Sequence, residues 1–184
     1  RRILNLAATE WMDDHGLTWL VVAPKIKLLP DTAKRKPYPL NWDEQSRLFK
    51  ELPEHLATMA LFKVNTGCRD GEVCGLQWSW EVKIPEMKTT VFIVPGEFVK
   101  NGDERMVVLN RVAQSVVEAQ RGKHSTHVFT HRGRPVRRML NGAWLRARKR
   151  VGLQQVRVQD LKHTFGRRLR AAGVSQQKVG YLLD

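Results

Sequence analysis

The opening of the chain combines one amphipathic segment with one segment rich in proline. Apolar residues recur three to four positions apart from Ile3 to Trp11, which predicts a helix over residues 3–15 that ends before Gly16. Residues 24–39 contain four prolines, which exclude a long helix. We therefore expect an extended linker between this helix and the rest of the chain.

Helical spacing returns after the linker in three consecutive segments. Asn41 is a suitable N-cap for a helix that stops at Pro53, because acidic residues follow it in the first turn. A second helix is predicted over residues 54–65. A third is predicted to begin after Gly67 and to reach Leu76.

The pattern then changes from helical spacing to two β-branched runs, residues 89–94 and 105–109. The Asn101-Gly102 dipeptide between them is a strong signal for a hairpin turn. Helical spacing resumes over residues 111–121, 136–150 and 160–172. Strands and helices do not alternate regularly, so we expect a mainly α (α+β) domain with a small antiparallel sheet.

Charge narrows the range of partners. The 184 residues contain 32 Lys and Arg against 18 Asp and Glu, a formal net charge of +14. This excess favours a polyanion, with nucleic acid first, although ribosomal and membrane-surface proteins are basic too. Cys68 and Cys74 lack the spacing of a zinc site or a disulfide framework, and Arg1-Arg2 does not begin a signal peptide. We therefore expect a cytoplasmic protein without a membrane span.

The segment from Thr66 to Trp78 carries the first candidate chemistry. Gly67 permits a tight turn that places Arg69 at the start of a helix, where a guanidinium is suited to phosphate. Glu72 follows one turn later and is able to orient that guanidinium. Taken alone, the pair is more typical of a weak ion pair on a helix surface.

The wider sequence resembles the catalytic domain of tyrosine-type site-specific recombinases, the phage integrase family. The matching segments are Thr66–Trp78, Phe98–Leu109, Val158–Phe165, Ala171–Val174 and Val179–Leu183. Their order and spacing also match, over about residues 40–184. The resemblance implies a helical catalytic domain with a small three-stranded antiparallel sheet.

The resemblance also implies an enzyme for DNA integration and recombination encoded by a phage or another mobile element. In this family a tyrosine attacks a DNA phosphodiester, forms a 3′-phosphotyrosyl link and releases a 5′-hydroxyl, without a metal or other cofactor. Arg69 matches the first phosphate-binding arginine, supported by Glu72. Lys100 matches the hairpin lysine that protonates the departing oxygen, a role that suits an ammonium on a mobile turn.

Two residues depart from the family pattern. Gln159 and Lys162 stand where the family has histidine and arginine. Gln159 is able to donate to a phosphate oxygen but not to act as an acid or base, and Lys162 lacks the bidentate fork of arginine. His163 matches the family's second histidine, which is more often structural than catalytic. All four positions, Arg69, Lys100, Gln159 and Lys162, are candidate catalytic residues.

The nucleophile is the third departure. Tyr38 lies in the linker, and Tyr181 comes too early for the family's tyrosine, so we expect Tyr181 to pack in the fold. The segment that bears the nucleophile is expected after Asp184, and the 184 residues by themselves are expected to bind DNA without cleaving it. The resemblance divides the chain into three parts: residues 1–23, the end of a SAM-like core-binding domain; residues 24–39, a linker; and residues 40–184, a catalytic domain incomplete at its C-terminus.

A basic stretch after the hairpin is a candidate contact with the DNA backbone. Its arginines are Arg132, Arg134, Arg137 and Arg138. The expected partner is double-stranded DNA of the attachment-site type, on which the family assembles as a tetramer, whereas this chain alone is expected to be a monomer. The alternative is a degenerate relative that binds DNA, or a partner subunit, without chemistry.

Two further groups of residues invite other interpretations. We expect the tryptophans Trp42, Trp78, Trp80 and Trp144 to lie in the core and not to stack on bases. His124, His127 and His131 have a spacing that a metal site could use, but no carboxylate is near them in sequence and no metal is expected.

Overall fold

The computed structural model describes residues 1–27, 35–87 and 89–183, and the chain divides into two compact units, Arg1–Lys36 and Pro37–Asp184. Residues 28–34 of the expected linker lie outside the described residues. The parts of residues 24–39 that are described have no helix or strand.

In its described residues the first unit contains one helix, α1 (Arg2–Thr9), which is shorter than predicted. The chain turns back after Thr9 because Asp13 Oδ1 accepts hydrogen bonds from the amides of His15 and Leu17, each at 2.9 Å. Such local side-chain bonds compete with the helix for the backbone. Gly16, with φ +75°, completes the turn and does not cap α1.

The second unit begins with three helices that follow the predicted order. They are α2 (Trp42–Glu51), α3 (Glu54–Thr66) and α4 (Asp70–Cys74). Asn41 caps α2 as predicted: its side chain accepts from the Glu44 amide at 2.8 Å, and Glu44 accepts from the Asn41 amide at 2.9 Å. Gly67, with φ +70°, ends α3 in the left-handed conformation.

A three-stranded antiparallel sheet of order β1-β2-β3 follows. Its strands are β1 (Glu81–Ile84), β2 (Thr89–Val94) and β3 (Arg105–Val108). The two β-branched runs form β2 and β3, as predicted, with Val94 opposite Arg105 at the base of the loop between them. The hydrophobic pattern alone did not identify β1, which is short and carries two exposed central residues.

The rest of the second unit is helical apart from one short hairpin. Its elements are α5 (Arg111–Glu118), β4 (Thr130–His131), β5 (Arg134–Pro135), α6 (Gly142–Arg150), α7 (Val158–Ala171) and α8 (Gln176–Leu183). Helix α6 starts six residues later than predicted. Asn141 caps it by accepting from the amides of Ala143 and Trp144, so Arg137 and Arg138 lie in the preceding loop.

The core of the second unit forms where α3 packs against α5 and α7. Phe62 and Phe129 are fully buried there with their ring centroids 5.1 Å apart. Of the four tryptophans expected in the core, Trp144 is fully buried and Trp78 and Trp80 are partly buried. Trp42 was predicted wrongly: it is 70% exposed, because it opens α2 and stacks on the Arg168 guanidinium, 3.5 Å from its ring centroid. No helix in the described part of the chain combines the length and apolar character that crossing a membrane requires.

Candidate active site

Arg69 and Glu72 form a closed pair at the start of α4. Arg69 is the N-cap residue, and its amide donates to Glu72 Oε2 at 2.7 Å. Its guanidinium Nη1 donates to Glu72 Oε1 at 3.1 Å. The Arg69 side chain is 25% exposed and that of Glu72 only 2%. The interpretation as a surface ion pair is therefore wrong, since Glu72 lies inside the protein.

Arg105 contacts the same carboxylate from the sheet. Its Nη1 lies 2.5 Å from Glu72 Oε2. Its Nη2 donates to the carbonyls of Leu182, at 2.8 Å, and Gly67, at 3.4 Å. We call Arg69, Glu72 and Arg105 the arginine cluster. It joins the end of α3, the start of α4, β3 and the end of α8.

The arginine cluster keeps the Glu72 carboxyl ionised. Burial alone would raise the pKa of its carboxyl, but the hydrogen bond from the Arg69 amide and the positive charge of Arg105 outweigh burial, and the pKa lies below its ordinary value. Glu72 is therefore ionised at neutral pH. A fixed anion between two guanidinium groups keeps both oriented without a change in structure.

Lys100 lies near the cluster at the tip of the loop between β2 and β3. It is exposed, and it lines a cleft of about 340 Å³ together with Arg69, Glu72 and the residues that precede it in the loop. The loop is narrow at its base, since a Cβ on Gly96 would clash with the carbonyl oxygen of Gly102. The structure thus brings together three of the residues that the sequence selected, Arg69, Glu72 and Lys100.

The third group of candidate residues lies on α7. Lys162 is buried, and its Nζ donates to the carbonyl of Leu183 at the end of α8, next to the carbonyl that Arg105 contacts. His163 is partly buried beside it. Gln159 is exposed one turn earlier on the same helix. Lys162 therefore shares with Arg105 the end of α8.

Helix α7 is fixed by the segment that enters the second unit. Asp160 accepts from the Tyr38 amide at 3.0 Å and from the Arg157 amide at 2.8 Å. The Leu40 amide donates to Thr164 Oγ1 at 2.9 Å. These bonds hold the N-terminal half of α7, which bears the candidate residues.

The Leu183 side chain packs directly against two glycines. A Cβ on Gly67 would lie 2.7 Å from Leu183 Cδ2, and a Cβ on Gly166 would lie 2.7 Å from Leu183 Cδ1. The two glycines thus allow the end of α8 to approach α3 and α7 closely. This approach places the Leu182 and Leu183 carbonyls within reach of Arg105 and Lys162.

A buried lysine supports the turn that carries Arg69. Lys63 is fully buried, and its Nζ donates to the Cys68 carbonyl at 2.7 Å. Burial lowers its pKa from 10.5 to about 8. Burial also raises the pKa of both neighbouring thiols, to about 12 at Cys74, so neither cysteine is a reactive nucleophile at neutral pH.

Tyr38 and Tyr181 are not among the described residues that line the cleft of Lys100 and Arg69. The Tyr38 hydroxyl donates to Glu44 Oε1 at 2.7 Å, and this bond raises its pKa. Tyr181 was expected to pack in the fold, and that prediction is wrong, because its side chain is 77% exposed. Val179 is the buried residue of α8, and Tyr181 lies on another side of the helix.

The four arginines of the basic stretch are all exposed, in the β4–β5 hairpin and the loop before α6; we call residues 132–138 the basic segment. Arg132 has φ +52°, which is rare outside glycine. The segment ends against α4, because the amide of buried Met139 lies 3.4 Å from Asp70 Oδ1. The loop that carries Arg137 and Arg138 therefore adjoins the residue after Arg69.

The three histidines considered for a metal do not come together. His124 and His127 lie with ring centroids 5.7 Å apart, whereas His131 stacks on His55 at 3.9 Å. Across residues 1–27, 35–87 and 89–183 there is no group of three or more His, Cys, Asp or Glu residues able to hold a metal ion.

Arg105 and Lys63 are the parts of the site that the sequence analysis missed. Arg105 did carry a signal: it alternates with Val107 and Leu109 on the buried side of β3, so its side chain points inward with theirs. A charged residue on a buried face needs a buried partner. Lys63 carried the same signal within the apolar stretch of α3.

The sequence matches a family model and a phage integrase. Residues 40–184 match the phage integrase family. The chain is 30% identical to the integrase of Salmonella phage P22 over 190 residues, covering 95% of this chain and 46% of that integrase. The chain thus spans about half the length of this relative.

Solved recombinase structures share the fold. The XerH site-specific recombinase bound to a palindromic difH substrate superimposes with a TM-score of 0.65 at 16% identity, over 98% of this chain and 54% of XerH. XerA recombinase gives 0.61 at 20% identity, over 81% and 56%. The Tn1549 transposon integrase in complex with circular intermediate DNA gives 0.61 at 15%, over 83% and 59%. Fold and motifs agree with the match over residues 40–184, and the chain belongs to the phage integrase family.

Proposed function

We propose that this chain is part of a site-specific DNA recombinase that cleaves and rejoins strands through a 3′-phosphotyrosyl intermediate. The observation that carries the proposal is the fixed arginine cluster beside an exposed hairpin lysine in one cleft. Attack on a phosphodiester adds negative charge to the phosphate. Cations already fixed in place stabilise that charge without reorganisation.

Each candidate residue then has a role. Arg69 binds a non-bridging oxygen of the scissile phosphate, and Glu72 orients it. Lys100 donates a proton to the 5′-oxygen as it departs. Lys162 supplies a second positive charge, Gln159 donates a hydrogen bond from its amide, and His163 supports α7. The nucleophilic tyrosine is supplied by residues outside the 184, because Tyr38 is bonded to Glu44 and neither tyrosine is among the described residues that line the cleft.

The partner in this proposal is double-stranded DNA of the attachment-site type, and the basic segment binds its phosphates. The XerH and Tn1549 structures, whose proteins are bound to DNA, support this choice, as does the net charge of +14. We place the reaction in the cytoplasm of a bacterium, where phage and genomic-island DNA is integrated.

The 184 residues alone are monomeric, and the whole recombinase assembles as a tetramer on paired sites. Residues 1–23 then belong to a core-binding domain, residues 24–39 to a linker and residues 40–184 to the catalytic domain.

A covalent trapping experiment tests the proposal. A duplex that binds the chain is selected from a random pool, and a nicked derivative is incubated with the full-length protein, so that a cleaved strand diffuses away and leaves the adduct. We expect a covalent adduct at a 3′-phosphate. A full-length protein that binds this duplex and forms no adduct would contradict the proposal.

The second candidate function is DNA binding without chemistry, which the departures at Gln159 and Lys162 favour. Loss of one preorganised donor costs roughly 10²–10³ in rate. Restoring both residues, by Gln159→His and Lys162→Arg, should raise the adduct yield if the departures limit the reaction. Unchanged yield in an active protein would show that the native residues already perform these roles.

A further inference from the structure

Arg105 holds together four parts of the candidate site. It is 5% exposed, on the inward face of β3. One nitrogen contacts Glu72 at 2.5 Å, and another contacts the Leu182 and Gly67 carbonyls at 2.8 and 3.4 Å. Burial of an arginine is costly unless its hydrogen bonds are made. The groups that Arg105 contacts therefore indicate its role in the protein.

The position of Arg105 in the sheet relates it to Lys100. Arg105 pairs with Val94, and these two residues close the base of the loop whose tip is Lys100. The guanidinium thus connects that loop to Glu72 on α4 and to the end of α8. Lys100 and Arg69 line the same cleft, so the bond between Arg105 and Glu72 fixes one side of the cleft relative to the other.

Arg105 also determines which way Glu72 faces. The two oxygens of this carboxylate are shared among the Arg69 amide, the Arg69 guanidinium and Arg105. Without Arg105, the buried carboxylate loses one of its two cations, and the bonds that remain come from Arg69, the residue that it orients. Arg69 would then lose the fixed acceptor that orients its fork.

We propose that Arg105 is a positioning residue, which acts through Glu72 to fix the Arg69 guanidinium and ties this pair to the end of α8. This inference rests on the proposed function for the identity of the phosphate. In that setting, Arg105 aligns three parts of the reaction: the phosphate-binding arginine, the loop of the lysine acid and the helix that ends at Leu183.

The first test needs no catalysis. In the 184-residue chain, hydrogen exchange at the Arg69 Nη1 protons, which bond to Glu72, is followed by NMR with labelled arginine, and the signal is assigned with Arg69→Lys. Arg105→Met should accelerate this exchange by about tenfold or more, as expected for residues coupled in one hydrogen-bond network. Arg105→Lys should give an intermediate rate. Unchanged exchange in a folded Arg105→Met protein would overturn the proposal.

Arg121→Met is the matched control. Arg121 also bridges two carboxylates, with Nη2 2.5 Å from Glu81 and Nε 2.7 Å from Glu118, but it lies outside the cleft. Its replacement should leave the Arg69 signal unchanged. If Arg105→Met does not fold, Arg105→Lys decides the question, because it leaves Glu72 in place: faster exchange than in the wild type is expected, and unchanged exchange would overturn the proposal.

The second test uses adduct formation by the full-length protein at saturating DNA. Arg105→Met should lower the rate roughly 10- to 100-fold with little change in DNA affinity. Added to Arg69→Ala, the same change should cost clearly less than it does in the wild-type background, because part of its effect passes through Arg69. Multiplicative losses in the double variant would show that Arg105 does not act through Arg69. A wild-type protein that forms no adduct refutes the proposed function, whereas the exchange measurement still decides the role of Arg105.

Discussion

Arginines serve two parts of the second unit in different ways. In the arginine cluster, the side chains of Arg69 and Arg105 are bound to Glu72, and Arg105 is buried. In the basic segment, all four arginines are exposed. A group that must neutralise one phosphate in a transition state gains from being fixed in advance, whereas groups that follow a DNA backbone gain from freedom to adapt. The comparison predicts that one region governs rate and the other governs affinity.

The largest expected effect is on catalysis. Arg69→Ala in the full-length protein should reduce the rate of adduct formation roughly 10²–10³-fold, the cost of one preorganised donor. DNA affinity should change far less, because the other cations that we propose bind the DNA backbone remain. The rate is measured at saturating duplex, and the affinity is measured by fluorescence anisotropy. Equal reductions in rate and affinity would show that the arginine cluster and the basic segment do not differ in function.

The basic segment should show the opposite pattern. Replacing Arg132, Arg134, Arg137 and Arg138 with Gln should weaken DNA binding and lower the slope of log K against log salt by about 0.9 for each phosphate that is no longer neutralised. As a control, Lys50→Gln and Lys83→Gln remove exposed charges on α2 and β1. If the control lowers the salt slope equally for each charge removed, DNA binding depends on the net charge of the chain and not on the basic segment.

A pH experiment tests how the Arg69 turn is supported. The pKa of Lys63 is about 8 in the folded chain and 10.5 in the unfolded chain, so between these values the unfolded chain binds more protons and stability rises with pH. Relative to Lys63→Met, the wild-type free energy of unfolding should rise by about 3 kcal/mol in total from pH 8 to above pH 10.

Urea unfolding at several pH values measures the effect of Lys63. An exposed lysine serves as the control, and Lys83→Met should follow the wild-type curve. Parallel curves for wild type and Lys63→Met would show that the lysine is not desolvated beneath the turn.

The smallest expected effect concerns the end of α8. Gly166→Ala places a Cβ 2.7 Å from Leu183 and should destabilise the chain by about 1 kcal/mol as the leucine is displaced. Gly180→Ala is the matched control in α8 itself. Apart from its chain neighbours and the backbone of its own helix, no atom of the described residues lies within 4 Å of its Cβ, so it should stabilise the helix by up to about 1 kcal/mol. Thermal unfolding measures both variants. Equal shifts in Tm would contradict the close approach of α8 to α7.

The features that sequence predicted best depend on a few adjacent residues. Asn41 as a cap, Gly67 as a turn and Glu72 as a partner of Arg69 each follow from spacing within one helical turn. The contact of Arg105 with Leu182 joins residues 77 positions apart, and local periodicity does not encode such a pairing. The alternation along β3 indicates that Arg105 points inward, but it does not indicate that Arg105 contacts Glu72 and Leu182.

The errors have a similar origin. Helix α6 was predicted to start at residue 136 because the apolar spacing extends that far, whereas the Asn141 cap determines the actual start. Trp42 was placed in the core on the basis of residue type, although it stacks on Arg168 at the surface. In both cases a specific polar contact decided the structure over the average preference of the residues.

Substitution of the scissile phosphate itself tests the central claim most directly. A duplex with a neutral methylphosphonate at the cleavage position lacks the charge that Arg69 is proposed to bind. We predict that Arg69→Ala in the full-length protein forms adduct with this duplex far faster, relative to wild type, than it does with the natural phosphate. An equal deficit on both duplexes would show that Arg69 does not act on the phosphate charge, and it would contradict the account.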